Sequence, residues 1–322
     1  MHKIIVGGKI HPAGINLLQS RNDFEVTILA DSTAATLAEN IATANAVLAR
    51  MQVVTREMIN AADNLKIISR NGVGHDTVDG DALSERGIPL TVVGDVNSTS
   101  VAEHTLMLIL ATAKRVIAHD ASIREDRWAV RDSLLSIDIE DKVLLIFGFG
   151  RIGQKVAMRA TSFGMDVLVH DPYINPSIVT AAGARNAITL QDGLAAADFI
   201  TLHIPATGGK PILGEKELSM MKPTAVVINT SRGSHIDESA LIKALNSKKL
   251  SGAGLDVFSP EPPAADNPLY QLDNVILSPH IAGFTAQCAA RMAHDAAQNI
   301  IDAIDGKLNP SRVVNAEAIG LK

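Results

Sequence analysis

Short runs of apolar residues alternate with stretches of helical periodicity along the whole 322-residue chain. This alternation is typical of parallel β-sheets whose strands are joined by helices. The strands predicted in the first third of the chain are Ile4–Val6, Phe24–Leu29, Ala46–Ala49, Leu65–Ser69 and Leu90–Val93. A second series is predicted at Val143–Phe147, Asp166–His170, Phe199–His203, Ala225–Asn229, Ala253–Val257 and Val275–Leu277. The pattern therefore predicts two α/β units.

Two long helical patterns separate and follow these series. The first, Val101–Glu125, has no internal Gly or Pro, and the second spans Thr285–Ile304. The simplest interpretation is that the second α/β unit is inserted into the first, which the last helix rejoins. The cleft between two such domains is then the expected site.

Composition and charge narrow the classes of protein. Hydrophobic residues make up 47% and aromatic residues 3%, so we expect the aliphatic cores typical of parallel sheets. A net charge of −6 argues against nucleic acid or an anionic membrane as the main partner. The single cysteine, Cys288, indicates a reducing, cytoplasmic location. The N-terminus is predicted to be a strand and not a signal peptide, and the charged residues of Val101–Ala118 exclude a membrane span.

A glycine-rich turn follows the strand Val143–Phe147. In the sequence GFGRIG, Gly148 permits a tight turn, Gly150 lets backbone approach a pyrophosphate, and Gly153 lets the following helix pack on the sheet. Asp171 ends the next strand, where a carboxylate would hold the adenosine ribose hydroxyls. No cation for a 2′-phosphate follows it. The predicted cofactor is therefore NAD, and not NADP.

Three charged or titratable residues each follow a strand of the second series. Arg232 can grip a carboxylate and polarise a carbonyl, because a guanidinium is planar and stays charged. His280 can exchange a proton near neutral pH, and Glu261 can orient that imidazole and stabilise its charged form. The carboxyl ends of parallel strands share one edge, where such sheets bind ligands. These three residues are the predicted catalytic set. The scattered histidines show no metal-ligand spacing, so no metal is expected.

Eight ordered motifs carry a resemblance that covers nearly the whole chain. They are SRNGVGHDTVD, SVAEHT, GFGRIG, HDPY, HIPAT, NTSRG, DVFSPEP and SPHIAG. With them the chain resembles the D-isomer-specific 2-hydroxyacid dehydrogenase family, and within it the short-form D-3-phosphoglycerate dehydrogenases. The resemblance implies reversible hydride transfer between NAD(H) and C2 of a 2-hydroxy or 2-oxo acid. It implies a doubly wound Rossmann NAD-binding domain (99–287) inserted into a flavodoxin-like substrate domain (1–98 and 288–322).

The resemblance also implies roles for further residues. The loop Asn71, Gly72, Val73 and Gly74 would bind the substrate carboxylate. The residues implied at the cofactor are Arg151 and Ile152 at the pyrophosphate, Pro205, Thr230 and Ser231 in the groove, and Asp256 and Gly283 near the nicotinamide. The family implies a homodimer built through the cofactor domain, with Val101–Glu125 as a candidate contact.

The chain departs from the family pattern at two positions. Leu145 stands where a glycine is frequent, which we interpret as a packing change. His235 stands where the residue is usually aliphatic, and we expect it to be structural or exposed, with contact to substrate as the alternative. Glu261 disfavours formate dehydrogenase activity, because those relatives carry glutamine there.

The substrate remains open between two classes. Arg50, Arg70 and Arg131 occupy places where phosphoglycerate-type enzymes carry basic residues, and the first two flank the expected cleft. If they are only rim charges, the alternatives are glyoxylate or hydroxypyruvate reduction and action on a sugar-acid-derived 2-hydroxy acid. The sequence ends at Lys322, so we expect no appended regulatory domain. An NAD(H)-sensing regulatory protein is a further alternative, whereas a triad hydrolase is excluded because the chain has no G-x-S-x-G motif.

Overall fold

The computed structural model describes residues 1–208 and 210–321. It divides into two compact units, Met1–Asn97 with Phe284–Lys322, and Ser98–Gly283. Each unit contains one sheet in which all paired strands are parallel, five strands in the first and seven in the second.

The first unit is a parallel sheet with helices on both faces. Its elements are β1 His2–Val6, α1 Pro12–Gln19, β2 Phe24–Ile28, α2 Ala34–Ile41, β3 Ala46–Ala49, α3 Arg56–Ala61, β4 Ile67–Arg70, α4 Gly80–Glu85, β5 Leu90–Thr91, α12 Ala286–Ile304 and the 3-10 helix Pro310–Arg312. The strand order is β2-β1-β3-β4-β5, which is that of flavodoxin-like folds. Alternate residues of the strands face two apolar layers, because side chains in a strand point to opposite faces. Ile5, Val47 and Ile68 are in one layer, and Ile4 and Leu48 are in the other, where they pack with α12.

The second unit is a larger sheet of the same kind. Its elements are α5 Ser98–Ala113, α6 Val116–Arg124, β6 Val143–Phe147, α7 Arg151–Ser162, β7 Asp166–His170, α8 Pro176–Ala181, β8 Arg185–Asn186, α9 Leu190–Ala196, β9 Phe199–Leu202, α10 Glu215–Ser219, β10 Val226–Asn229, α11 Glu238–Asn246, β11 Gly252–Leu255, β12 Val275–Leu277, and the 3-10 helices Trp128–Ser133, Gly233–His235 and Pro268–Gln271. The strand order is β12-β11-β10-β9-β6-β7-β8, the Rossmann order extended by one strand. The order reverses between β9 and β6, where such sheets bind ligands. The predicted fold class, two doubly wound parallel sheets, is confirmed.

The single long helix predicted over Val101–Glu125 is wrong. The chain forms α5 and α6 instead, separated at Arg115, whose φ of 53° is left-handed. The carbonyl of Ala113 accepts from the Ile137 N–H at 3.0 Å, and that of Lys114 accepts from the Ser136 hydroxyl at 3.1 Å. A distant segment therefore satisfies the carbonyls that end α5, so the helix need not continue.

Within residues 1–208 and 210–321, no helix is long and apolar enough to cross a membrane. In the same described part of the chain, no group of three or more His, Cys, Asp or Glu side chains is arranged to hold a metal ion.

Candidate active site

The glycine turn after β6 has the geometry that a dinucleotide requires. Gly148 has a φ of +84°, and a Cβ there would lie 2.6 Å from the carbonyl oxygen of His203. A Cβ on Gly153 would lie 2.1 Å from the Gly148 carbonyl oxygen, so α7 packs against the turn only because Gly153 lacks one. Around Gly150, the residue that caps α7, a Cβ would meet nothing within 4 Å. The turn thus offers bare backbone and open space at a helix N-terminus, which fits a pyrophosphate.

Asp171 lies against this turn at the end of β7. Its Oδ2 accepts from the Phe149 N–H at 2.8 Å, and its Oδ1 accepts from the Tyr173 N–H at 2.9 Å. Each oxygen keeps a further lone pair, because an ionised carboxylate has about four acceptor positions. The carboxylate is therefore fixed in orientation and can still accept ribose hydroxyls, and no cation stands at 172–174.

Arg232 follows β10 in a loop that approaches the next loop very closely. A Cβ on Gly233 would lie 2.0 Å from both the carbonyl carbon and the oxygen of Phe258, so only glycine fits. Asn229 ties the loop together, because its amide donates to the Arg232 carbonyl at 2.8 Å and its Oδ1 accepts from the Ser231 N–H at 3.1 Å. This packing brings the Arg232 loop next to the segment that carries Glu261.

Glu261 and His280 form a hydrogen-bonded pair. The Nδ1 of His280 is 2.7 Å from Oε2 of Glu261, and the side chains are 35% and 24% exposed, respectively. The other oxygen, Oε1, accepts from the Phe258 N–H at 2.9 Å. A carboxylate can only accept, so Nδ1 carries a proton and Nε2 is the nitrogen that can exchange one with a ligand.

The pKa of Glu261 is lowered by its surroundings. Burial by itself raises this pKa, but the hydrogen bonds from His280 and from the Phe258 N–H, together with the nearby charge of Arg232, outweigh burial. Glu261 therefore stays ionised through the neutral range and supplies a fixed negative charge to the imidazole.

Asp256, fully buried, organises the segment that carries His280. Its Oδ1 accepts from the Ser278 hydroxyl at 2.5 Å and the Ile281 N–H at 2.9 Å, and its Oδ2 accepts from the Ala282 N–H at 2.9 Å. The His280 N–H donates to the Asp256 carbonyl at 2.8 Å, and His280 has a left-handed φ of 52°. Four hydrogen bonds thus hold the turn that presents the imidazole.

Two residues of this network, His104 and Thr105, lie in the SVAEHT motif of α5 and not after a strand, so the strand-end pattern does not predict them. Nε2 of His104 lies 2.9 Å from the Ser278 hydroxyl oxygen, which is already the donor to Asp256, so His104 must donate there. Thr105, one residue further along α5, donates to the Val101 carbonyl and accepts from the Thr230 hydroxyl at 3.0 Å. The pairs are separated by 174 and 125 residues in sequence, so only the fold reveals them.

The remaining residues implied at the cofactor also lie in the second unit. Arg151 and Ile152 open α7, Pro205 follows β9, Thr230 and Ser231 follow β10, and Gly283 ends the Asp256-held turn. The parallel pairing of β6 with β9 and of β9 with β10 places these strand ends side by side. Leu145 is fully buried in the core, so its replacement of a family glycine is a packing change.

The residues implied at the substrate lie in the first unit, at the ends of β3 and β4. Arg70 is buried, and its Nε donates to the Gly74 carbonyl at 2.9 Å, so it braces the 71–74 loop. Asn71 donates from its N–H to the Ala49 carbonyl at 2.8 Å. Arg50 is partly exposed, and its guanidinium lies 5.4 Å from the centre of the Phe284 ring. Arg131 belongs to the second unit, in the 3-10 helix Trp128–Ser133.

Comparisons with known proteins agree with this geometry. Residues 106–282 match the family model of the D-isomer specific 2-hydroxyacid dehydrogenase NAD-binding domain. A D-3-phosphoglycerate dehydrogenase of Methanocaldococcus jannaschii is 38% identical over 317 residues, covering 98% of this chain and 60% of that protein. A glyoxylate reductase of Korarchaeum cryptofilum is 37% identical over 273 residues, covering 84% of this chain and 82% of that protein.

The fold comparison reaches the same family. The crystal structure of the TT0316 protein of Thermus thermophilus has a TM-score of 0.89 at 33% identity, covering 97% of this chain and 99% of that one. The chain spans only 51% to 60% of the length of the D-3-phosphoglycerate dehydrogenases of M. jannaschii, Archaeoglobus fulgidus and Mycobacterium tuberculosis. The resemblance seen in the motifs is confirmed: the chain belongs to the D-isomer specific 2-hydroxyacid dehydrogenase family.

Proposed function

We propose that this protein is an NAD-dependent dehydrogenase that interconverts a D-2-hydroxy acid and its 2-oxo acid. The observation that carries the proposal is the Glu261–His280 pair, with Nδ1 and Oε2 2.7 Å apart and the Arg232 loop packed against it. Carbonyl reduction needs a proton donor, a charge that stabilises the protonated donor, and a cation that polarises the carbonyl. His280, Glu261 and Arg232 provide these three groups.

Gly148, Gly150, Gly153 and Asp171 would hold the dinucleotide, with Arg151, Ile152, Pro205, Thr230, Ser231, Asp256 and Gly283 around it. When bound, its nicotinamide supplies the hydride acceptor or donor. We propose NAD over NADP because Asp171 presents a carboxylate where a 2′-phosphate would otherwise lie.

The three proposed catalytic residues would have different roles. Arg232 binds the substrate carboxylate and polarises the C2 oxygen. In reduction, the protonated His280 gives its Nε2 proton to that oxygen, and in oxidation the neutral imidazole takes the hydroxyl proton. Glu261 stays ionised and stabilises the imidazolium. The balanced reaction is D-2-hydroxy acid + NAD⁺ ⇌ 2-oxo acid + NADH + H⁺.

Two substitutions test this assignment. We expect His280→Ala to lower kcat by about 10² to 10⁴, the range for loss of a general acid–base group, with the Kd for NADH unchanged. We expect Arg232→Ala to raise the KM for the 2-oxo acid as well as lower kcat. Near-normal turnover by His280→Ala would contradict the assignment.

For the substrate class, we propose the loop 71–74 as the carboxylate site and Arg50 as the group that discriminates. Similarity to D-3-phosphoglycerate dehydrogenases supports a phosphorylated acid such as 3-phosphoglycerate. The second candidate is hydroxypyruvate or glyoxylate, which the position of Arg70 favours. Its guanidinium is buried and braces Gly74, so it is less available to a phosphate than Arg50.

The substrate is tested by NADH oxidation with 3-phosphohydroxypyruvate, hydroxypyruvate and glyoxylate at matched concentrations. If the phosphorylated acid is preferred, Arg50→Ala should remove that preference while rates on hydroxypyruvate stay within about threefold. If hydroxypyruvate or glyoxylate is preferred in the unaltered protein, the phosphoglycerate assignment is wrong and the reductase assignment stands.

We further propose a cytoplasmic homodimer formed through the second unit. Support comes from exposed apolar side chains that cluster along α6 and the segment after it: Val116, Ile117, Ile123, Trp128, Leu134 and Leu135. Exposed apolar patches of this kind mark protein interfaces. Light scattering of the purified protein tests the dimer, and Ile117→Asp with Leu134→Asp should yield a monomer.

A further inference from the structure

His235 occupies an unusual place for a titratable side chain. It ends the 3-10 helix Gly233–His235, three residues after Arg232, and it is fully buried. Its carbonyl accepts from the N–H groups of Ile212 and Leu213 at 2.8 and 3.0 Å. The backbone is thus fixed between two loops, and the imidazole points inward. Of the expectations drawn from the sequence, exposure of His235 is therefore wrong.

The imidazole joins two loops through its two nitrogens. Nε2 lies 3.0 Å from the Pro205 carbonyl oxygen, and Nδ1 lies 2.9 Å from the Ser231 hydroxyl oxygen. A carbonyl oxygen can only accept, so Nε2 carries a proton and donates it. In the neutral ring, Nδ1 then accepts from the Ser231 hydroxyl. An aliphatic residue of similar volume could fill the space and could form neither bond.

The two loops that His235 joins are those that follow β9 and β10. β9 and β10 are paired, with Leu202 opposite Asn229, so both loops leave the same sheet edge. The β9 end abuts the glycine turn, since a Cβ on Gly148 would lie 2.6 Å from the His203 carbonyl oxygen. The Ser231 carbonyl accepts from Nη1 of Arg232 at 2.7 Å. His235 therefore stands behind both the cofactor groove and the catalytic arginine.

We propose that His235 is a positioning residue that sets the separation of the Pro205 and Ser231 loops and thereby the affinity for NADH. The inference rests on the proposed function, because both loops are assigned to the cofactor groove. The hydrogen bond to Pro205 is the one that matters for affinity. Pro205 belongs to an exposed loop, whereas Ser231 is also held by Asn229, whose Oδ1 accepts from the Ser231 N–H.

Three substitutions at this position separate the two hydrogen bonds. His235→Leu removes both, His235→Gln can still donate from its amide at the reach of Nε2, and His235→Asn can still bond at the shorter reach of Nδ1. His294→Leu, the same change at an exposed histidine of α12, is the matched control. The measurements are the Kd for NADH by fluorescence titration without substrate, the KM and kcat for the 2-oxo acid at saturating NADH, and the melting temperature.

We expect His235→Leu and His235→Asn to raise the Kd for NADH about tenfold, which is the loss expected for one buried hydrogen bond. His235→Gln should restore the Kd to within about threefold, and the substrate KM at saturating NADH should change less than about twofold in all three. A Kd unaltered in His235→Leu would overturn the proposal. So would equal losses in Leu, Gln and Asn, which would indicate a merely structural residue. Absence of NADH binding by the unaltered protein would instead refute the proposed function.

Discussion

Replacing Glu261 by Gln removes one negative charge from the acid–base pair and leaves its shape nearly unchanged. Nδ1 and Oε2 are 2.7 Å apart, so the charge centres lie about 4 Å apart, where two unit charges interact by about 4 kcal/mol at an effective dielectric constant of about 20. Because the side chains of His280 and Glu261 are 35% and 24% exposed, respectively, screening reduces this to about 1 to 2 kcal/mol.

That energy sets the expected loss of rate in the oxidation direction. There the neutral imidazole takes the hydroxyl proton, and the anion of Glu261 stabilises the positive charge that develops on the ring in the transition state. Since about 1.36 kcal/mol corresponds to a factor of ten in rate, Glu261→Gln should lower kcat for oxidation of the D-2-hydroxy acid about tenfold. The Kd for NADH should be unchanged.

The assay is kcat for oxidation of the D-2-hydroxy acid at saturating NAD⁺, with the Kd for NADH as a second readout. Glu215→Gln is the matched control, because Glu215 forms an exposed ion pair with Lys243 in the same unit. We expect the control to keep the kcat of the unaltered protein. An unaltered kcat in Glu261→Gln would refute the role given to this carboxylate.

Three other substitutions test separate parts of the structure. Asp171→Ala should raise the KM for NAD⁺ by about 10- to 100-fold, as expected for the loss of hydrogen bonds to a charged acceptor. It should also reduce the preference for NAD⁺ over NADP⁺, measured as the ratio of the kcat/KM values for the two cofactors. Gly233→Ala should lower the free energy of unfolding by about 2 kcal/mol or more, because its Cβ would overlap the Phe258 backbone, while Gly80→Ala, in ordinary contact only, should not. Burial lowers the pKa of His203 to about 3. Between about pH 6.5 and 3, His203 is therefore neutral in the folded protein and protonated in the unfolded chain. His203→Gln should therefore lose less stability than the unaltered protein as pH falls from about 6.5 to 3, a difference of up to about 4 kcal/mol by urea unfolding.

Four strands were predicted with the correct bounds: Ala46–Ala49, Val143–Phe147, Asp166–His170 and Val275–Leu277. The first two are continuous apolar runs in the middle of a parallel sheet, and the structure has them as β3 and β6. The two-residue strand Arg185–Asn186 was not predicted, because it is an exposed edge strand with no hydrophobic pattern. Its pairing with β7 depends on backbone hydrogen bonds, which a side-chain pattern does not report.

The helix break at Arg115 could not be predicted for a related reason. Its immediate sequence contains good helix-forming residues and neither Gly nor Pro, so local propensity favours continuation. The break is stabilised by donors from 136–137, which are distant in sequence and recognisable only once folded. Tertiary hydrogen bonds here override local propensity.

The same distinction separates the proposed catalytic residues from those that hold them. The placement of Arg232, Glu261 and His280 was predictable because each follows a strand, and parallel strands necessarily bring such positions to one edge. The hydrogen bond from His104 to Ser278 has no such rule behind it. His104 lies on a helix among buried neighbours, and its partner is reached only because α5 packs under that edge of β11 and β12. The orientation of His280 depends on this hydrogen bond through Asp256. The Asp256 carboxylate accepts from the Ser278 hydroxyl and from the N–H groups of Ile281 and Ala282. Sequence can therefore place the proposed catalytic groups at one edge of the sheet, whereas the hydrogen bonds that hold those groups in position emerge only from the packed structure.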